Sequence, residues 1–221
     1  GAGGGTLPLL QKAGVKEIRG YGGFPIGGQW LICEEPEIVN KHNAKVYGLS
    51  PGAAPTMAVP HLDSRMLGGK KALLFGPYAA WTTKFLHRGG SFFDLPGSIK
   101  FHNLLTLLKV GISNLPLVGY LIQQGLQSMN TRLKELQNFY PDAQGKDWKL
   151  IDAGIRVQAI KKEDGDAGIV HFGTEVVTSE DRSVSALLGA SPGASVCVSI
   201  VLEVARKCFG EMFGKDEVNQ K

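Results

Sequence analysis

Glycine placement is the strongest constraint on how this chain folds. The 221 residues include 30 glycines, gathered at residues 1–5 (GAGGG), at 20–28 (GYGGFPIGG) and in later turns. That is about twice ordinary usage, and the clustering argues for tight turns and close backbone approach rather than for a linker. A second small-residue run, ALLGASPGASVC at 186–197, leads into residues 196–204, an apolar segment patterned as a helix. Small side chains let backbone come close to a flat ligand, and the opening amides of a helix offer unpaired donors to electron-rich atoms. Upstream, Arg156 sits in AGIRVQ, a mostly apolar strand-like segment that can hold a positive charge in place. Together these features suggest a ring-shaped cofactor beside an anionic substrate.

Bulk composition narrows the classes. With 43% hydrophobic and 20% charged residues the chain can build a real core, as one large domain or two small ones. A net charge of +4 without a dense Lys/Arg block excludes nucleic acid as the expected partner. It suits acidic small molecules or an anionic membrane surface. Cys33, Cys197 and Cys208 have no metal-ligand spacing, nor does any histidine pair, so no metal site is expected. The phosphate-loop, nucleophile-elbow and CxxC patterns are absent. No signal peptide is visible, and no apolar run is long enough to span a bilayer. The sequence opens inside a glycine run without an initiator Met, so a fragment of a longer protein is expected.

Patterning along the chain predicts α+β, or a divided α/β, architecture. A glycine loop enters a short helix at 6–14. Residues 20–28 read as turns and 29–33 as a strand. Residues 36–42 read as a short helix, 45–49 and 58–60 as extended, and 70–76 as a buried strand ended by Gly76-Pro77. Helical spacing covers 101–111 and 117–139, with Leu117, Tyr120, Leu121, Gly125 and Met129 on one face. Two readings of 101–129 stay open. One is a cap packed over a site, favoured because Gly111 and Pro116 break the stripe; the other is a lipid-touching surface with Lys100 and Lys109 near headgroups. Strands follow at 152–160, 169–172 and 184–188, then a terminal helix at 196–209 and a polar tail at 214–221.

VPHLDSR at 59–65 places an imidazole, a carboxylate and a guanidinium at alternate positions, one face of a strand. Such a face can hold an oxyacid through Arg65 and take a proton on His61, with Asp63 orienting the ring; a surface salt-bridge strand is the equal alternative. Lys84 and Arg156 are further cations, each read from spacing alone more readily as a surface or structural charge. His42, His87 and His102 read as solvated, and His171 as a strand-face ring. Gly1, Gly3, Gly4 and Gly5 do not make a complete dinucleotide fingerprint.

GAGGGTLPLLQKAG, GYGGFPIGGQWLIC, VPHLDSR, KKALLFGPYA, TKFL, AGIRVQAIKK, FGTEVV and LLGASPGAS, in this order from Gly1 to about Phe209, resemble the carboxy-terminal half of malate:quinone oxidoreductases. The resemblance implies a two-domain FAD-binding fold of the glutathione-reductase-like type. It implies oxidation of (S)-malate to oxaloacetate, with electrons passing through FAD to a membrane quinone in the tricarboxylic acid cycle. The implied location is cytoplasmic, peripheral on the inner face of the cell membrane. Residues 1–20 would be a glycine-rich segment returning to the FAD domain, 21–180 the substrate domain with a helical section at 101–140, and 181–210 the flavin-proximal strand, loop and helix. Flavin contacts are implied for Gly1, Gly3, Gly4 and Gly5 and for Gly189, Ala190, Ser191, Pro192, Gly193, Ala194 and Ser195. Substrate contacts are implied for Arg65, Arg156 and Lys84, and base chemistry for His61 with Asp63. The family's amino-terminal FAD-binding half would be a further partner. Two alternatives stand beside this reading: a non-catalytic isolated domain, and a flavoenzyme for another 2-hydroxy acid.

Overall fold

A computed structural model describes residues 1–49, 59–161, 169–171, 173–189 and 195–210, the backbone alone at 169–171. Calls on the loops at 50–58 and 162–168, on residues 190–194 and on the tail therefore lie outside the described residues. The chain divides into two compact units, Gly1–Pro25 with Thr82–Leu115 and Ile155–Lys221, and Ile26–Trp81 with Pro116–Gly154. These cuts differ from the boundaries expected at residues 20 and 180. Strands β1 (Gly22–Cys33) and β5 (Lys149–Lys161) each contribute residues to both units. All strand pairings given below are antiparallel and the helices are separate from them, an α+β arrangement.

In the second unit, β2 (Lys45–Tyr47), β3 (His61–Leu67), β4 (Lys70–Trp81) and β1 are neighbours in that order. The β3–β4 hairpin turns through Gly68 and Gly69, at φ +56° and +83°, with Leu67 paired to Lys70. Two consecutive residues with positive φ match the hairpin turn whose twist suits the flanking strands. β4 does not stop at Gly76-Pro77 as expected. It runs on to Trp81 through a bulge, where Gly76 and the cis-linked Pro77 together oppose Trp30 of β1. Proline has no N–H to lose from the ladder, and a bulge leaves one residue unpaired in any case. The core of this unit gathers Leu31, Leu62, Leu73, Phe75, Tyr78 and Leu136.

The periodic stretch expected at 117–139 is two helices, α5 (Leu115–Gly125) and α6 (Met129–Gln137). Ser128 ends the continuity: its hydroxyl accepts from the Thr131 N–H at 3.2 Å and so caps α6. Arg132 is buried in this unit. Its guanidinium lies 4.8 Å from the Tyr78 ring centroid and donates to the Gln124 carbonyl at 3.0 Å.

In the first unit, a 3₁₀ turn at Gly3–Gly5 leads into α1 (Thr6–Lys12). Residues 22–28, read from sequence as turns, are part of β1. Their glycines serve packing. A Cβ on Gly22 would stand 2.6 Å from the Leu107 side chain, and one on Gly23 would stand 2.8 Å from that of Val157. β5 pairs with β6 (Ile169–His171). β7 (Thr174–Thr178), which the sequence reading passed over, pairs with β8 (Ser185–Gly189). Glu175 of β7 accepts from the Tyr21 hydroxyl and from Lys161 Nζ at 2.6 Å; burial, then Glu175, pushes the Tyr21 phenol up to about 12. α7 (Cys197–Phe209) closes the described chain.

α4 (Phe101–Ser113) lies in the same unit, after the short α3 (Asp94–Ser98). Among the described residues the apolar stripe is not packed. α4 buries Asn103, Thr106 and Val110 and exposes Phe101, Leu105, Leu108 and Ile112. Asn103 accounts for the inward polar face. Its side-chain oxygen accepts from the Lys100 N–H at 2.7 Å, and its amide donates to the carbonyls of Tyr21 at 2.8 Å and Ser98 at 3.0 Å.

Gly4 and Gly111 make opposite predictions. A Cβ on Gly4 would sit 1.9 Å from the Phe85 carbonyl oxygen, whereas one on Gly111 would meet nothing within 4 Å. Gly4→Ala is expected to destabilise by about 1–3 kcal/mol. Gly111→Ala, mid-helix and unobstructed, is expected to stabilise by roughly 0.5–1 kcal/mol. Denaturant unfolding of the two variants checks both signs.

Candidate active site

β3 concentrates the chemistry of the second unit. His61, Asp63 and Arg65 alternate along it and share one face, as their spacing predicts. Register supplies their surroundings. Tyr47 lies opposite His61 on β2, Lys45 lies opposite Asp63, and Gly76 lies opposite His61 on β4. The His61 ring stands 4.9 Å from Trp30, nearly perpendicular at 78°, and 4.9 Å from Tyr47 at 35°. Gly76 makes room for the indole: a Cβ there would stand 3.1 Å from a Trp30 ring carbon. The sequence reading missed Trp30, Tyr47, Lys45 and Gly76, because nothing local reveals which residues oppose one another.

Asp63 is buried, and its carboxylate accepts from Arg65 Nε and faces Lys45 Nζ at 3.4 Å. Burial acts to raise its pKa. The Arg65 hydrogen bond and charge, with Lys45 behind them, outweigh this and hold the carboxyl below its ordinary value. Asp63 is thus committed to two cations, and the expected role of orienting His61 falls instead to a backbone group. Nδ1 of His61 lies 3.1 Å from the Val59 carbonyl oxygen. Burial, first, and then the charges of Lys45 and Arg65 lower the His61 pKa, against the opposing pull of Val59 and Asp63. The folded surroundings therefore favour the neutral ring. A carbonyl only accepts, so the proton of the neutral ring sits on Nδ1 and Nε2 carries the lone pair. This arrangement can receive a proton.

The remaining candidates belong to the first unit. Arg156 lies on β5, half-buried, its guanidinium pKa depressed by burial. Lys84 follows β4, with its ammonium 4.4 Å from the centroid of the Phe92 ring. The Gly3–Gly5 turn packs against β8, so two of the glycine segments expected to serve one cofactor are neighbours. Within them the glycines differ. Gly1 and Gly3 have open space where a Cβ would be, with Gly3 at φ +53°, and Gly5 has only ordinary contacts. Gly4 is closed by the Phe85 carbonyl. Gly189 is closed by that of Gly173, 2.0 Å from a built Cβ, so these two shape the loops. Ser195 is exposed ahead of α7, while Ala190, Ser191, Pro192, Gly193 and Ala194 lie outside the described residues. His102, expected to be solvated, accepts the Gly20 N–H on Nδ1 at 3.2 Å. No cluster of three or more potential metal ligands occurs among the described residues.

The His61 shift has a sign that can be tested. In the unfolded chain His61 takes up a proton near its ordinary value of about 6.5, whereas the folded ring resists it. Stability is therefore lost as pH falls below that value. Asp63, held below its ordinary value, adds a loss in the same direction at still lower pH. Denaturant titrations at about pH 7.5 and about pH 5.5 should show a smaller loss for His61→Gln than for the parent. Equal losses would mean that the folded ring titrates normally.

The sequence matches the family model described as malate:quinone oxidoreductase over residues 1–221. A probable malate:quinone oxidoreductase of Helicobacter hepaticus is 56% identical over 211 residues, which cover 96% of this chain and 42% of the relative. One from Flavobacterium psychrophilum has the same identity and coverage. A probable malate:quinone oxidoreductase 2 of Pseudomonas aeruginosa is 54% identical over 221 residues, 100% of this chain and 43% of the relative. The chain thus spans about two fifths of the length of these curated relatives. With a family match running its whole length and more than half its residues identical in each of these relatives, the chain belongs to the malate:quinone oxidoreductase family.

Proposed function

We propose that this chain serves the oxidation of (S)-malate to oxaloacetate, with electrons passed through FAD to a membrane quinone, at the inner face of the cell membrane. The observation that carries this reading, beside the family, is the neutral, aromatic-flanked His61 with Nδ1 on the Val59 carbonyl. Removing hydrogen from a 2-hydroxy acid requires a group that accepts the hydroxyl proton as C2 is oxidised, and Nε2 of His61 is proposed for that step. Trp30 and Tyr47 flank the ring. Lys45 and Arg65 disfavour its charged form before the reaction, and Asp63 favours the imidazolium afterwards. Arg65, fixed through Nε by Asp63, is proposed to present its remaining nitrogens to a malate carboxylate. Arg156 and Lys84 are proposed as further carboxylate holders, to be tested residue by residue.

FAD, when bound, supplies the electron acceptor for C2. The residues of the first unit fit one edge of such a group. Gly1, Gly3 and Gly5 keep their Cα side accessible and the Gly3–Gly5 turn packs beside β8, whereas Gly4 and Gly189 are closed by protein carbonyls. Gly1, Gly3 and Gly5, with residues 190–195, are proposed to hold the flavin, and Gly4 and Gly189 to shape those loops. Residues 1–20 and 181–210 are proposed to serve the flavin and 21–180 the substrate, the proton chemistry resting on His61 of β3.

Malate added to the flavin-loaded enzyme should bleach its flavin absorbance. His61→Ala should slow that step by about 10²–10⁴ without changing flavin content. Arg156→Ala should chiefly raise the KM for malate. Bleaching by a different 2-hydroxy acid and not by malate would overturn the substrate; unchanged turnover in His61→Ala would remove the base.

A further inference from the structure

We propose that α4 is a membrane-docking helix, lying in the surface of an anionic bilayer with its apolar face inserted. The observation is an inverted helix. Phe101, Leu105 and Ile112 are 100%, 71% and 69% exposed, and Leu108 is exposed between them. These four sit at helical i, i+4, i+7 and i+11 spacing, a continuous stripe on one side. The opposite side is anchored by polar Asn103 and by Val110, which packs with Ile160, Phe24 and Leu107. The fold turns the stripe outward while satisfying polar groups inward.

Charge selects a lipid surface as the occupant. No acidic residue occurs between Asp94 and Glu135; Lys100 precedes the helix as its N-cap, with its ammonium donating to the Gly97 carbonyl at 2.8 Å, and Lys109 falls beside the stripe. At the amino-terminal end of the stripe, Phe101 and Leu104 also line a hollow of about 510 Å³ whose polar rim is Arg19, Lys100, His102 and Gln11. An apolar stripe edged by lysines, with a cationic hollow at one end, is complementary to acyl chains below anionic headgroups. No single helix among the described residues is long and apolar enough to cross a membrane, and α4 passes that test only together with α5 as a bent pair; the proposal commits to contact in the plane of the surface. The surface rests on the proposed function only in placing the enzyme where a lipid-soluble quinone is found.

Vesicle co-sedimentation of the 221-residue chain tests this without malate or flavin, so its failure is separate from failure of the malate reading. The chain should bind vesicles of equal phosphatidylglycerol and phosphatidylcholine, and bind pure phosphatidylcholine more weakly. The double variant Leu105→Glu/Ile112→Glu, at exposed positions and checked for native circular dichroism, should bind the anionic vesicles at least about tenfold more weakly. Lys100→Glu/Lys109→Glu should lose the preference for anionic lipid. Leu105→Trp should blue-shift its fluorescence on anionic vesicles. Equal binding by parent and Leu105→Glu/Ile112→Glu would overturn the proposal. So would absence of vesicle binding together with a concentration-dependent dimer that this variant abolishes, which would assign the stripe to a second copy.

Discussion

A side chain that is not there organises the second unit. Gly76 leaves a gap opposite His61, and the Trp30 indole occupies it. The bulge at Gly76-Pro77 sets two residues of β4 against that one residue of β1, which keeps the ladder paired on both sides of the tryptophan. The imidazole then has an aromatic edge on one side and Tyr47 on the other. Its low proton affinity, its Nδ1 contact with Val59 and the separate Asp63–Arg65–Lys45 ion cluster all follow from the same register. Any side chain at position 76 would press on the Gln29 backbone and on Trp30 together.

The first unit depends on the same economy in a different form. Gly4, Gly22, Gly23 and Gly189 each stand where a Cβ would meet another chain segment closer than atoms normally approach. These four glycines are consumed by protein packing against protein. That redistributes what the glycine runs signify: only the positions with open Cα sides, such as Gly1 and Gly3, remain for a ligand.

The sequence was legible where a short-range period decides the outcome. The shared face of His61, Asp63 and Arg65 follows from alternation alone, and the strands at β5 and β8 and the helix α7 follow from pattern. It was illegible where long-range pairing decides. Residues 22–28 carry every local mark of a turn, yet Leu107 and Val157 press them into a strand. Gly76-Pro77 looks like a strand end and is a bulge, because Trp30 sits across from it. The aromatic neighbours of His61 come from strands that only register brings beside it. Which face of α4 points inward was not legible, because periodicity reveals that a helix has two faces without revealing which one the protein turns inward; Asn103, with carbonyls to bind, decides that.

The hairpin at Gly68–Gly69 has a reach beyond its own two residues. His61 meets Gly76 only because Leu67 meets Lys70, so the pairing at the far end of β3, about 20 Å away, is counted out from the turn. Adding or deleting one residue between β3 and β4 would leave either hydrophobic face or site face misaligned along the whole strand. Descendants of this sequence are accordingly free to vary the chemistry of β3 far more than the length of that loop.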